Sequence, residues 1–228
     1  EVGYIYLIFT FMAFIQVFYN HGMDSSFLKF ISQEEGNSDK ILSTSFIGLI
    51  LTSVFLSLVF HNFAEQISIL YLKISQPLWI SLCSLILCID SISGRMMTYL
   101  RVQNRAIFFA LISIGNVIIT IILNIYFVVY EKWGIDGVLY GTLAGALFRF
   151  LFLLPSLFLN INYTKFDFSL FKKLFSYGIP FFPAALFFII MEMADRKILH
   201  LLTDVHEVGI YSVSYKLGSI LLFIITGF

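Results

Sequence analysis

Long apolar runs recur along this chain and leave few folds open to it. Seven of them occupy residues 2–19, 41–60, 78–100, 107–130, 138–159, 179–202 and 208–228. A helix needs about 20 mainly apolar residues to cross the hydrocarbon core of a bilayer. The runs are continuous, whereas barrel strands would alternate over about 10 residues. In lipid a backbone must satisfy its own hydrogen bonds, and a helix does so within one segment. The runs therefore predict an all-α, polytopic transmembrane helix bundle of about seven spans. Composition agrees, with 59% hydrophobic and 12% charged residues, against roughly 45–50% and about 25% in soluble domains. The formal net charge is +0, so no electrostatic pull toward nucleic acid is expected.

The connections between runs are short and none has room for a folded extramembrane domain. Residues 165–173 read as a short amphipathic linker lying at the membrane interface. The chain starts at Glu1 and stops inside an apolar run, so it reads as a piece of a longer protein; no signal peptide is visible. Lys29, Lys40, Arg95, Arg101, Arg105, Lys165, Lys172 and Lys173 flank one side of the spans, and Lys73, Lys132, Arg196 and Lys197 the other. By the positive-inside rule the first side is cytoplasmic.

Glu1-Val2-Gly3 opens the first run and Glu207-Val208-Gly209 the seventh. An even number of spans separates the copies, so both enter the membrane from the same side. That parity suggests two parallel six-helix halves related by an axis along the membrane normal, one of the transporter symmetries.

Ionisable residues inside spans are costly, about 2.5–3.5 kcal/mol each at the bilayer centre, and tend to face the bundle interior. Asp90 and Arg149 fall near mid-span; Glu192, Asp195, Arg196 and Lys197 cluster in one half of the sixth run; Lys216 lies in the seventh. Glu192, Asp195 and Arg196 share a helix face, and Glu192 and Arg196 have pairing distance. These charges read either as packing ion pairs or as a polar lumen. In the lumen reading Arg149, Arg196 and Lys216 meet an anionic cargo and Asp90, Glu192 and Asp195 line the path, since arginine's planar donors grip phosphate oxygens in pairs. Gly178, Pro180 and Pro183 at the start of the sixth run fit either a proline-started helix or a bent, mobile one; Pro183 is expected to disrupt the next turn. Gly141 and Gly145 predict a close helix contact, and Asn116 and Asn124 bonds to neighbouring helices.

Cys83 and Cys88 share one run and read as buried small hydrophobes. His21, His61, His200 and His206 lack metal-ligand spacing, and neither a nucleotide fingerprint nor a Ser/His/Asp set is present. No catalytic role, metal or cofactor is expected.

Several stretches resemble the polysaccharide-exporter branch of the MOP superfamily, the flippases of O-antigen and other lipid-linked oligosaccharides. They are Glu207-Val208-Gly209-Ile210-Tyr211-Ser212-Val213-Ser214-Tyr215-Lys216, Gly178-Ile179-Pro180 with Asp195-Arg196-Lys197-Ile198-Leu199, Tyr99-Leu100-Arg101 with Arg105, and Gly22-Met23-Asp24 with Phe27-Leu28-Lys29-Phe30. The resemblance spans essentially the whole chain. It implies helices two to eight of a 12–14-helix transporter. Residues 1–176 would hold most of the amino-terminal bundle and a linker, and residues 177–228 the start of the second bundle. It further implies export of undecaprenyl-diphosphate-linked glycan across the bacterial inner membrane, with membrane lipids, a polysaccharide polymerase and other assembly proteins as neighbours. A multidrug exporter of cations, or a membrane glycan polymerase or acyltransferase, are the alternatives.

Overall fold

The computed structural model describes residues 2–33 and 38–226. Among these residues the fold is helical throughout and carries no strand. The α-helices are α1 (Val2–Asn20), α2 (Met23–Gln33), α3 (Ser38–Asn62), α4 (Ala64–Leu72), α5 (Pro77–Val102), α6 (Ala106–Ile125), α7 (Ile135–Asn160), α8 (Phe168–Gly178), α9 (Phe181–Leu202) and α10 (Val205–Thr226). A π-helical turn, Tyr126–Tyr130, extends α6.

Five helices are long and apolar enough to cross a membrane: α1, α3, α5, α6 with its π turn, and α7. The polytopic all-α expectation is met. The sixth expected span takes a different form. Its apolar half, Phe181–Met191, pairs with α8 across a 43° bend, while its charged half continues α9 beyond that pair. Pro180 is the N-cap of α9, and Pro183 falls in the first turn. There a missing N–H costs nothing, so Pro183 breaks no turn, contrary to expectation. The bend lies between Gly178 and Phe181. The seventh run forms α10, whose start lies beside that of α1: a Cβ on Gly209 would sit 3.3 Å from the Gly3 nitrogen. The shared glycines of the two tripeptides thus lie on neighbouring helices.

α5 is the hub, packing on α1, α2, α3, α4, α6 and α7. Small residues let its neighbours approach: Cys83, Ser84, Cys88, Ser91 and Ser93 are all buried. Interhelical hydrogen bonds fix the register, with Tyr19 Oη 2.7 Å from Ser57 Oγ and Ser57 Oγ donating to the Ser84 carbonyl at 3.1 Å. α6 packs mainly on α7. Cβ atoms at Gly141 and Gly145 would meet Asn124 Oδ1 at 2.0 Å and Thr120 Oγ1 at 1.9 Å, so the close contact expected there is present. The rest of α6 is exposed apolar surface, including Ile107, Leu111, Ile114, Ile118 and Ile121. A helix apolar all round in this way belongs in lipid.

Two helices escape the hydropathy pattern because they are short: α2, which packs on α8, α3 and α5, and α4, which follows α3. α8 starts within the stretch 165–173 read from sequence as a linker and runs on to Gly178. Asp167 caps it, accepting from the Ser169 and Leu170 amides at 2.7 and 3.2 Å, and pairs with Lys40 at 2.7 Å. Lys165 pairs with Asp39 at 3.2 Å. The linker is thereby pinned to the start of α3. The Lys40 ammonium and the capping amides hold the Asp167 carboxyl below the usual carboxylate range.

Arg95 is a correction. Counted from sequence among the flanking charges, it is 1% exposed. α2 covers it, because α5 runs on to Val102. One guanidinium nitrogen donates to the Met23 carbonyl at 2.9 Å and lies 3.2 Å from Asp24 Oδ1. The guanidinium also stacks 5.0 Å from the Phe27 ring centroid. Beside it, His21 is buried in the α1–α2 turn and packs on Phe175 of α8.

Burial lowers the His21 pKa from its ordinary 6.5, and nearby Arg95 adds to the effect. A base with a depressed folded pKa is protonated more readily in the unfolded chain, so stability falls as pH drops below about 6.5 and is level above it. Thermal unfolding in detergent between pH 7.5 and 5.5 should show that slope, and His21→Phe should flatten it. An unchanged slope in the variant would exclude His21 as the titrating group.

Candidate functional site

Charged side chains on four helices are tied to α1 or to one another. Asp90 stands midway along α5 and Arg149 midway along α7. Arg149 Nη2 donates to Asp90 Oδ1. The pair is only partly covered, with side chains 30% and 21% exposed. Next to Asp90, Ser91 Oγ lies 3.2 Å from Gln16 Nε2 of α1, and Gln16 lies 3.4 Å from Asn20 Oδ1. Gly94 is one turn from Asp90 on the same face, and a Cβ added there would meet nothing within 4 Å. The Asp90 face of α5 therefore borders open space with polar groups on its α1 side.

The α9–α10 cluster is built differently. Arg196 is 6% exposed. Its guanidinium lies 3.2 Å from Asp195 Oδ1 and 4.7 Å from the Tyr215 ring centroid. Tyr211 donates to the other Asp195 oxygen. Tyr211 and Tyr215 are successive turns of α10, so that one helix presents a two-ring wall to the α9 ion pair. Lys216 is exposed, and its ammonium lies 5.3 Å from the Tyr6 ring centroid of α1. The Glu192 side chain lies outside the described residues, and with it the expected Glu192–Arg196 pairing.

α1 is the shared element, packing on α5, α9 and α10. Tyr6, Ala13, Gln16 and Asn20 recur at helical spacing along it and are half-buried. Lys216 meets this face at Tyr6 and Ser91 meets it at Gln16. Of the six candidate residues, Asp90 thus pairs with Arg149 and Asp195 with Arg196, while Lys216 meets the ring of Tyr6. Sequence reasoning missed Gln16 and Asn20, an i, i+4 polar step in an otherwise apolar run. It also missed the roles of Tyr6 and Tyr215, whose rings face Lys216 and Arg196, and of Tyr211, whose hydroxyl bonds Asp195.

The described residues hold no group of three or more His, Cys, Asp or Glu arranged for a metal. Cys83 and Cys88 are buried free thiols, as their apolar run predicts.

A family model described as polysaccharide biosynthesis protein matches residues 1–228. The chain belongs to this polysaccharide biosynthesis protein family. No curated protein and no solved structure matches it. The family match spans every helix described above, so the Asp90–Arg149 pair and the α9–α10 cluster both belong to a helical, apolar member of a polysaccharide biosynthesis family.

Proposed function

We propose that this protein is a flippase that moves a diphosphate-linked oligosaccharide, carried on an undecaprenyl lipid, across the bacterial inner membrane. The observation that carries the reading is the Asp90–Arg149 pair. It sits midway through two spanning helices, partly exposed and beside the open space at Gly94. Charges at that depth are costly against lipid and face the bundle interior or a water-filled cavity, so a partly exposed pair at mid-span suits the border of a polar path. A half-open pair can exchange partners: a diphosphate competes with Asp90 for the Arg149 guanidinium, whose planar donors suit two phosphate oxygens.

Arg196 and Lys216 would supply further positive charge from α9 and α10. Export needs no covalent step. The headgroup crosses along the polar α1 face while the lipid chain stays in the bilayer, and the 43° bend before α9 gives the second bundle a place to pivot. Asp90 and Asp195 are each held by an arginine, which favours anionic cargo over the organic cations of a drug exporter.

The test is surface-glycan export in the native host. Lys216→Gln should lower export several-fold at unchanged protein level. Adding Asp90→Ala and Arg149→Ala together, which strands neither charge, should bring it to background. Normal export from that well-expressed triple variant would overturn the proposal.

A further inference from the structure

A cavity of about 510 Å³ opens between α1, α3, α4 and α9, within the ~300–1,000 Å³ range of small-molecule sites. Its walls are mainly apolar and include four aromatic rings: Phe11 and Phe14 of α1, Phe60 of α3 and Tyr71 of α4, beside Leu70 of α4 and Ile190 of α9. Its charged lining residue is Lys197, and neither Arg149, Arg196 nor Lys216 lines it. Lys197 donates to the Tyr71 carbonyl and lies 4.0 Å from that ring's centroid. An ammonium has three donors, so this bond leaves capacity for an anion.

A second lysine stands at the same end. Lys73 is the C-cap of α4 at φ 61, two residues beyond Tyr71, whose carbonyl accepts from Lys197. The cavity is thus a greasy slot with a basic rim. The rim lies toward the membrane face where α1 begins and α9 ends.

We propose that this slot binds one anionic glycerophospholipid of the surrounding bilayer, an acyl chain lying against the phenylalanines and the phosphate against Lys73 and Lys197. The charge of the rim selects the headgroup, and the aromatic walls accept any chain. A lipid seated there wedges α9 against α1 and α4, so membrane composition would bear on the packing of α9. The site is separate from the Asp90–Arg149 pair, and the inference stands whether or not the protein exports glycan.

Native mass spectrometry of the detergent-purified protein tests it. With phosphatidylglycerol and phosphatidylcholine of equal chain length added together, a single phosphatidylglycerol adduct should predominate at least tenfold. Lys73→Gln/Lys197→Gln should abolish that preference. Ala194→Trp, which fills the slot and leaves the lysines, should remove the adduct. Equal retention of the two lipids by the unaltered protein would overturn the proposal without reference to any variant. So would displacement of phosphatidylglycerol by equimolar undecaprenyl diphosphate, which would make the slot a site for the carrier lipid.

Discussion

Asp90→Ala alone is expected to damage this protein more than Asp90→Ala and Arg149→Ala together. The single change leaves a guanidinium midway through α7 with its described carboxylate partner gone. Breaking a buried pair by removing one member costs about 3–5 kcal/mol, whereas removing both is often near neutral. The side chains here keep 21–30% exposure, which places the expected loss near the lower figure, about 3 kcal/mol. Arg149 Nε is already buried without a hydrogen-bond partner among the described residues, so nothing in its described surroundings takes over from Asp90. Unfolding temperature and monodisperse yield in detergent, measured for both singles and the double, complete a mutant cycle. Simple additivity of the two singles would mean that the ion pair contributes nothing to the α5–α7 contact. The same double variant separates the two roles of the pair: it should fold nearly as the parent does and still fail in export.

Much of the fold is legible in the sequence because the bilayer removes choices. A run such as 107–130 has one stable form in lipid, and α6 with its π turn takes it. Legibility fails where tertiary neighbours decide. α2 and α4 are too short for a hydropathy window to separate from a loop. Arg95 reads as a boundary charge until α2 folds over it. Asp90 and Arg149 are each visible as mid-span charges, but their pairing follows from α5 and α7 lying side by side, which no local spacing encodes. The tyrosines fail differently. Tyr6, Tyr211 and Tyr215 are common residue types for a membrane boundary, and only the contact of α1 with α10 and of α10 with α9 sets Tyr6 against Lys216, Tyr215 against Arg196 and Tyr211 against Asp195. The polar face of α1 was available in principle, since Gln16 and Asn20 fall one turn apart in an otherwise apolar run.

The same chemical change, a methyl group added to glycine, should have opposite outcomes at two positions. Gly22 stands in the α1–α2 turn at φ +72, and a Cβ there would lie 2.0 Å from the Gly178 carbonyl oxygen. The left-handed backbone alone costs an alanine roughly 1–2 kcal/mol. Forcing apart two packed backbones adds about 1–3 kcal/mol. The obstacle is main chain, which cannot rotate aside as a side chain does. Gly22→Ala should therefore lower stability by about 3 kcal/mol and loosen α2 from α8, where Ser26 Oγ donates to the Leu174 carbonyl at 2.7 Å. Hydrogen exchange of α8 should rise with it. Gly94→Ala meets open space within α5 and removes a glycine from a helix interior, so stability should rise by about 0.5–1 kcal/mol. A larger side chain at the same place, Gly94→Leu, tests what that space is for. It should fold, and under the export reading it should obstruct the path beside Asp90 and Arg149. A Gly94→Leu protein that exports normally would place the cargo route elsewhere, whatever Gly22→Ala does to the fold.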